Sequence, residues 1–124
     1  MANDNKVVLV VDKRRAAVGM EAMLGERGIS TVVLDPTEDF TRPTDQYTLR
    51  AVVYEPFFAM FRGKQFRPIV DRILERAKTD GAIRIVCSTQ SPEILAEQGF
   101  NQGPQYDRYV SKPASAMEIL EGIL

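Results

Sequence analysis

Five side chains in this sequence could do chemistry together, because each stands at or just after the end of an apolar run. They are Asp12, Lys13, Glu55, Ser88 and Lys112. Carboxylates bind divalent cations and can act as nucleophiles, a hydroxyl donates and accepts hydrogen bonds, and ammonium groups pair with anions. If the apolar runs are neighbouring strands of one sheet, these groups meet at one edge and form a polar pocket.

Composition excludes several other kinds of site. The 124 residues include no histidine, which removes histidine acid–base catalysis, histidine metal ligands and histidine phosphotransfer. The sequence has neither a glycine-rich phosphate loop nor a serine in a nucleophile elbow. The formal net charge is −1 and the only basic run is Lys13-Arg14-Arg15, so we expect no direct binding of nucleic acid.

The cysteine content and the apolar runs bear on the compartment. The first residues are polar and unlike a signal peptide, and no apolar run approaches the roughly 20 residues of a membrane span. The single cysteine, Cys87, cannot form an internal disulfide, which favours a reducing compartment. Because Cys87 lies within an apolar run, we interpret it as an inert core residue. We therefore expect a cytoplasmic domain with no membrane partner.

Apolar, β-branched runs predict the strands that would position the pocket. They cover residues 7–11, 30–34, 49–55 and 83–88, with a short fifth strand at 109–110. Apolar residues at helical spacing predict helices over 16–27, 66–77 and 91–99, and a last helix capped by Ser115. Alternating strands and helices imply an α/β domain whose parallel sheet is covered on both faces. Ligands of such sheets bind outside the carboxyl ends of the strands.

Residues 35–47 do not fit this alternation. They contain Pro36 and Pro43 and show no periodicity, so they leave room for a short helical turn at most.

Four sequence pieces together resemble the receiver domain of bacterial response regulators. They are VLVVDK (8–13), AVVYEP (51–56), IRIVCST (83–89) and YVSKP (109–113), of which the last is the strongest. The resemblance spans essentially the whole chain, so we treat 1–124 as one receiver-like domain that could be cut from a longer multidomain protein. It implies a flavodoxin-like, doubly wound, five-stranded parallel sheet in strand order 2-1-3-4-5, with the second helix short or absent.

The resemblance also implies roles for the pocket residues. In the family, two acidic residues after the first strand help to bind magnesium, and an aspartate after the third strand accepts the phosphoryl group. Asp12 matches the first acidic residue, Ser88 the hydroxyl after the fourth strand and Lys112 the lysine after the fifth. Lys13 replaces the second acidic residue, and Glu55 replaces the phosphoacceptor. A cation in place of a metal ligand and a carboxylate one methylene too long predict a pseudo-receiver, with no enzymatic activity, metal or cofactor.

Two readings remain open for each substituted residue. Lys13 could replace the metal by pairing with Asp12, Glu55 or both, which we favour, or it could point outward. Glu55 could mimic a phosphorylated aspartate, or it could be a structural carboxylate held by Lys112. We favour the second reading, because a carboxylate carries one negative charge and a phosphate nearly two.

With the acceptor chemistry lost, we expect a phosphorylation-independent signalling module that binds a signalling or output protein, or a second copy of itself as a homodimer. The family binds partners through the face of its fourth helix, fifth strand and fifth helix, which implies Arg108 and Tyr109 here. The competing surface is the apolar loop that holds Phe57 and Phe58, which could instead cover the core. Two alternatives remain: an active receiver phosphorylated on another carboxylate, and a small-molecule binder or enzyme on a flavodoxin-like fold.

Overall fold

The structure is a computed structural model that describes residues 6–35, 46–56, 66–112 and 116–123. Within these ranges strands and helices alternate as the sequence predicts. In chain order they are β1 (Lys6–Val11), α1 (Arg14–Glu26), β2 (Thr31–Leu34), β3 (Thr48–Tyr54), α2 (Arg67–Thr79), β4 (Ile83–Ser88), α3 (Pro92–Glu97), β5 (Arg108–Ser111) and α4 (Ala116–Ile123). Most of the stretch 35–47, where a short helical turn at most is predicted, lies outside the described residues.

The strands form one parallel sheet in the order β2-β1-β3-β4-β5, which confirms the predicted flavodoxin-like architecture. Their registers align the carboxyl ends. Val11 pairs with Leu34 on one side and with Tyr54 on the other, and Ser88 pairs with Ser111. Residues that directly follow these strands therefore lie along the same edge of the sheet.

Each face of the sheet buries its own apolar core, because successive side chains of a strand point to opposite faces. The face covered by α2 includes Leu9, Val52, Tyr54, Phe66 and Ile73. The face covered by α1 and α4 includes Val8, Val10, Leu24, Ile85 and Leu120. Burial on both faces explains why the central strands read as continuous apolar runs rather than as alternating ones. No described helix is long and apolar enough to cross a membrane.

Several element boundaries differ from the predicted ones by one or two residues, and three of these differences have a clear local reason. Helix α1 begins at Arg14 rather than at residue 16, because the carboxylate of Asp35 accepts a hydrogen bond from the Arg14 N–H. Helix α3 ends at Glu97 rather than near residue 99, where Gly99 has a φ of +86° and the backbone leaves the helix. Strand β5 is longer than the predicted pair of residues, because all four of its residues pair with β4.

Candidate functional site

The carboxyl edge of the sheet brings four of the predicted site residues together. Asp12, Glu55 and Lys112 follow β1, β3 and β5, and Ser88 is the last residue of β4. Backbone hydrogen bonds continue the sheet into this edge, since the Glu55 N–H donates to the Val11 carbonyl and the Lys112 N–H to the Ser88 carbonyl. Asp12 and Glu55 are 8% and 5% exposed and Ser88 is fully buried. Burying such polar groups costs free energy unless each of them has a hydrogen-bonding or charged partner.

The Lys112 ammonium joins the two carboxylates. Its Nζ lies 2.8 Å from Oδ2 of Asp12 and 3.0 Å from Oε1 of Glu55, and it donates a hydrogen bond to each. Burial alone would lower the pKa of Lys112, but the hydrogen bond and charge of Asp12, followed by those of Glu55, outweigh it and raise the pKa above its ordinary value. The favoured reading of Glu55, a carboxylate held by Lys112, agrees with this geometry.

The second oxygen of Asp12 is bound to the start of α1. Its Oδ1 accepts a hydrogen bond of 2.7 Å from the Lys13 N–H, and Oδ2 of Asp35 accepts one of the same length from the Arg14 N–H. These carboxylates satisfy N–H groups that a helix start leaves without an intrahelical partner, and they lie at the positive end of the helix dipole. Sequence reasoning missed Asp35 as part of this edge, although its position at the end of a predicted strand was a signal.

Lys13 lies at the N-cap position of α1, with an exposed side chain. The ammonium found between Asp12 and Glu55 is that of Lys112. An inward pairing of Lys13 therefore stays a prediction rather than a described contact of these two carboxylates.

Ser88 and Tyr109 hold the loop that follows β4. The Ser88 Oγ accepts a hydrogen bond of 3.0 Å from the Gln90 N–H, and the Tyr109 hydroxyl donates to the Gln90 carbonyl. The same hydroxyl lies 3.5 Å from the Ser88 carbonyl oxygen. Gln90 was not predicted, and no side-chain pattern could have indicated it, because it takes part here through its backbone.

The residues expected to bind a partner are described only in part. Arg108 and Tyr109 are half-buried in β5, and the aliphatic part of Arg108 packs close to Gly122 of α4. Phe57 and Phe58 lie outside the described residues.

The pocket's donor set does not fit a magnesium ion. Magnesium prefers several oxygen ligands in octahedral geometry, and a receiver site would draw them from three carboxylates. The pocket supplies the carboxylates of Asp12 and Glu55, and an ammonium lies within 3.0 Å of both. In the described part of the chain no group of three or more histidine, cysteine or acidic side chains could hold a metal ion.

Comparisons with known proteins agree with the architecture. No protein-family model and no curated protein matches the sequence. Among solved structures, a signal receiver domain of a two-component histidine kinase from Clostridium thermocellum matches with a TM-score of 0.65 and 9% identity, over 96% of this chain and 94% of that one. A response regulator receiver protein from Pseudoalteromonas atlantica matches with a TM-score of 0.63 and 13% identity, over 94% and 93%.

A third match has the higher identity of 22%, with a TM-score of 0.58 over 96% of this chain and 93% of the other. It is the receiver domain of Francisella response regulator 1452. The protein has the receiver-domain fold. Identities this low show shared architecture alone. The receiver-fold pocket of this chain therefore has to be interpreted from its own residues, and those differ from the family's pattern at Lys13 and Glu55.

Proposed function

We propose that this receiver-fold domain is a signalling module that works by binding a protein and without being phosphorylated. The observation that carries the proposal is Glu55, which stands in place of the acceptor aspartate with its Oε1 held 3.0 Å from the Lys112 ammonium. Lys13 adds a second positive charge next to Asp12. The two carboxylates share one ammonium inside the pocket and have a second positive charge at its exposed rim, so the pocket attracts a divalent cation less than a site whose residue 13 is acidic.

The chemistry of phosphoryl transfer gives a second reason. A carboxylate that attacks phosphorus needs a free oxygen in line with the leaving group and cations that neutralise the developing charge. The Glu55 side chain is 5% exposed, and its Oε1 accepts a hydrogen bond from Lys112. Its extra methylene would displace an acyl phosphate by about 1.5 Å, one carbon–carbon bond, relative to an aspartate. Displacements of about 1 Å can cost on the order of a hundredfold in rate.

The test treats the protein with acetyl phosphate and, separately, with beryllofluoride, each with magnesium. Intact-mass spectrometry and amide NMR shifts follow the outcome. We expect no added phosphate and no saturable shifts near Asp12 and Glu55 at millimolar magnesium. Labelling of the wild-type protein, mapped to a carboxylate, would establish instead the alternative of an active receiver with a non-standard acceptor.

A gain-of-function variant sharpens this test. Lys13→Asp with Glu55→Asp should bind magnesium measurably, because it adds an oxygen ligand and shortens the second carboxylate, yet phosphorylate more slowly than an ordinary receiver. Lys6→Asp makes the same charge change at the opposite edge of the sheet and should bind no magnesium. Labelling of the double variant at an ordinary rate would mean that the residues at positions 13 and 55 alone account for the lost phosphorylation.

The surface that we propose for the partner contains Arg108 and Tyr109. Both are half-buried in β5 beside α4, and arginine and tyrosine are common anchors of interfaces. Alanine at either position should weaken capture of a protein partner from the native host by roughly 1–2 kcal/mol. Tyr109→Phe keeps the ring and removes the hydroxyl that donates to the Gln90 carbonyl, so it distinguishes the contribution of the ring to partner binding from that of the hydroxyl. Loss of capture in Phe57→Ala and Phe58→Ala variants, with capture kept in Arg108→Ala, would assign the surface to the loop instead.

A further inference from the structure

The two helices that flank the edge strand β5 carry only acidic charges. Helix α3 contains Glu93 and Glu97, α4 contains Glu118 and Glu121, and neither helix contains a lysine or an arginine. All four glutamates are exposed. The whole chain has 16 basic and 17 acidic residues, so the excess of negative charge belongs to these helices and not to the overall composition.

Ile94 is an exposed apolar side chain on the side of α3 that faces β5. The other side faces α2, because the Arg67 guanidinium donates hydrogen bonds to the carbonyl oxygens of Gln98 and Gly99. A Cβ added at Gly99 would lie 3.3 Å from Nη1 of Arg67. Ile94 precedes Gly99 by five residues and therefore points away from α2, at 3.6 residues per helical turn. Its side chain is 42% exposed, whereas the neighbouring Leu95 is fully buried.

Tyr109 extends the apolar surface of α3 onto β5. Its ring packs against the core on the α2 and α3 side of the sheet. Its hydroxyl donates to the carbonyl of Gln90, about one helical turn before Ile94, which holds the ring on the same side of α3 as Ile94. Arg108 points to the other side of the sheet, where its Cδ lies 3.2 Å from the Cβ position of Gly122 on α4. The edge therefore has an apolar centre formed by Ile94 and the Tyr109 ring.

The glutamates of α3 surround this centre without a balancing cation. Glu93 and Glu97 lie four residues apart, so they are like charges on adjacent turns and weaken the helix slightly. Among the described residues no ion pair involves either of them. The guanidinium of Arg67 lies on the α2 side and pairs with Asp71, and Arg108 lies on the α4 side. An apolar centre within a charged rim is the usual anatomy of a protein interface.

We propose that this edge binds a basic, amphipathic segment of a partner protein. An apolar side chain of the segment would pack on Ile94 and the Tyr109 ring, with lysine or arginine beside the two glutamates of α3. Arg108 would contribute the aliphatic part of its side chain. This inference rests on the proposed function, since it names the chemistry of the partner that the Arg108 and Tyr109 surface binds.

Charge complementarity selects this occupant among the alternatives. Nucleic acid and an anionic membrane surface carry the same sign of charge as the glutamates, and both are repelled. A second copy related by a two-fold axis would bring the acidic α3 against itself, which places like charges opposite each other. A basic protein segment satisfies both the apolar centre and its negative rim.

The test selects random peptides displayed on phage against the wild-type domain, with the Ile94→Asp domain as the counter-selection. We expect the peptides that only the wild type retains to carry net positive charge and a large apolar residue. Acidic or uncharged peptides would overturn the proposal, and so would the absence of any peptide that distinguishes the two domains. Self-association of the wild type that Ile94→Asp abolishes would assign the edge to a second copy instead.

Charge-reversal variants then test the role of the glutamates by calorimetry with a selected peptide. Glu93→Lys with Glu97→Lys should weaken binding by about tenfold or more, and added salt should weaken binding to the wild type. The matched control is Glu21→Lys with Glu26→Lys, the same charge change at exposed positions of α1, which should leave binding nearly unchanged. Equal weakening by both double variants would overturn the proposal, because net charge rather than α3 would then set the affinity.

Two outcomes separate this inference from the proposed function. Selected peptides that are acidic, yet lose binding to the Tyr109→Ala domain, would overturn the basic partner and leave the surface assignment intact. Labelling of the wild-type protein by acetyl phosphate, with basic peptides still selected, would overturn the phosphorylation-independent function and leave this inference intact.

Discussion

Replacing Lys112 with methionine should destabilise the domain strongly, because it leaves two carboxylates facing each other in a buried pocket. At an effective dielectric constant of ~20, contacts of 2.8 Å and 3.0 Å correspond to about 6 kcal/mol of attraction each. Desolvation of the charges offsets much of this. Removing one partner of a buried pair costs about 3–5 kcal/mol, and the Lys112 side chain is 23% exposed. We therefore expect a loss of about 3 kcal/mol in the free energy of unfolding.

The assay is urea denaturation at pH 7, together with thermal melts. A loss of this size should lower the melting temperature by roughly 12 °C, at about 4 °C per kcal/mol for a domain of this length. Adding Glu55→Gln should make the Lys112→Met protein more stable, because it removes one of the two like charges. Lys6→Met removes an exposed lysine at the start of β1 and should change stability by less than about 0.5 kcal/mol.

The pH dependence of the free energy of unfolding independently tests whether the positive charge of Lys112 stabilises the folded protein. The folded-state pKa of Lys112 lies above its ordinary value of 10.5, so the stabilising charge is fully present below that pH. The stability difference between wild-type protein and Lys112→Met should stay constant from neutral pH to about 10 and narrow as the pH rises through the folded pKa. A loss below about 1 kcal/mol, as for an exposed pair, with no coupling to Glu55→Gln, would refute the buried-pair argument.

Three further results are expected. Gly122→Ala should cost up to about 2 kcal/mol, because overpacking of its Cβ 3.0 Å from Cδ1 of Ile85 costs about 1–3 kcal/mol and alanine in a helix returns about 0.5–1 kcal/mol; a rise in the urea midpoint would contradict this. Asp107→Asn should cost about 2–4 kcal/mol by leaving the buried Arg84 guanidinium without its carboxylate. Arg84 lowers the pKa of Asp107, so this contribution is present above pH 3.8 and should be lost as the pH falls through the folded pKa, seen as convergence of the two acid-unfolding curves. Burial raises the pKa of Cys87 to about 11, so a thiol reagent at pH 8 should label it only as fast as the protein unfolds.

The sheet and its polar edge could be predicted because they follow from local patterns. A parallel strand that is buried on both faces is apolar along nearly its whole length. Such a run can be recognised in the sequence without knowing which strands it pairs with. Asp12 and Glu55 each stand directly after one of these runs. Since the carboxyl ends of parallel strands lie along a common edge, the proximity of Asp12 and Glu55 could be predicted without knowledge of long-range contacts.

Arg84 shows where this reasoning fails. It lies within β4, inside an apolar run, and is 5% exposed. Its guanidinium is satisfied by Asp107 and by the carbonyl oxygens of Gly103 and Pro104, at distances of 2.7–3.2 Å. A buried charge needs all of these partners at once, and they belong to an irregular loop whose path no periodicity predicts.

The choice between the two lysines depends on backbone direction rather than on sequence distance. Lys13 is adjacent to Asp12, yet it occupies the N-cap position of α1, with φ −57° and ψ 139°, and its side chain is exposed. Lys112 is separated from Asp12 by 100 residues, but the chain leaves β5 at the same sheet edge, and its flexible four-carbon stem reaches both carboxylates. The residue types alone therefore indicate that an ammonium group pairs with the pocket carboxylates. Only the sheet topology shows that this ammonium belongs to Lys112 rather than to Lys13. The same reasoning makes Lys112, rather than Lys13, the position where loss of one positive charge should affect folding most.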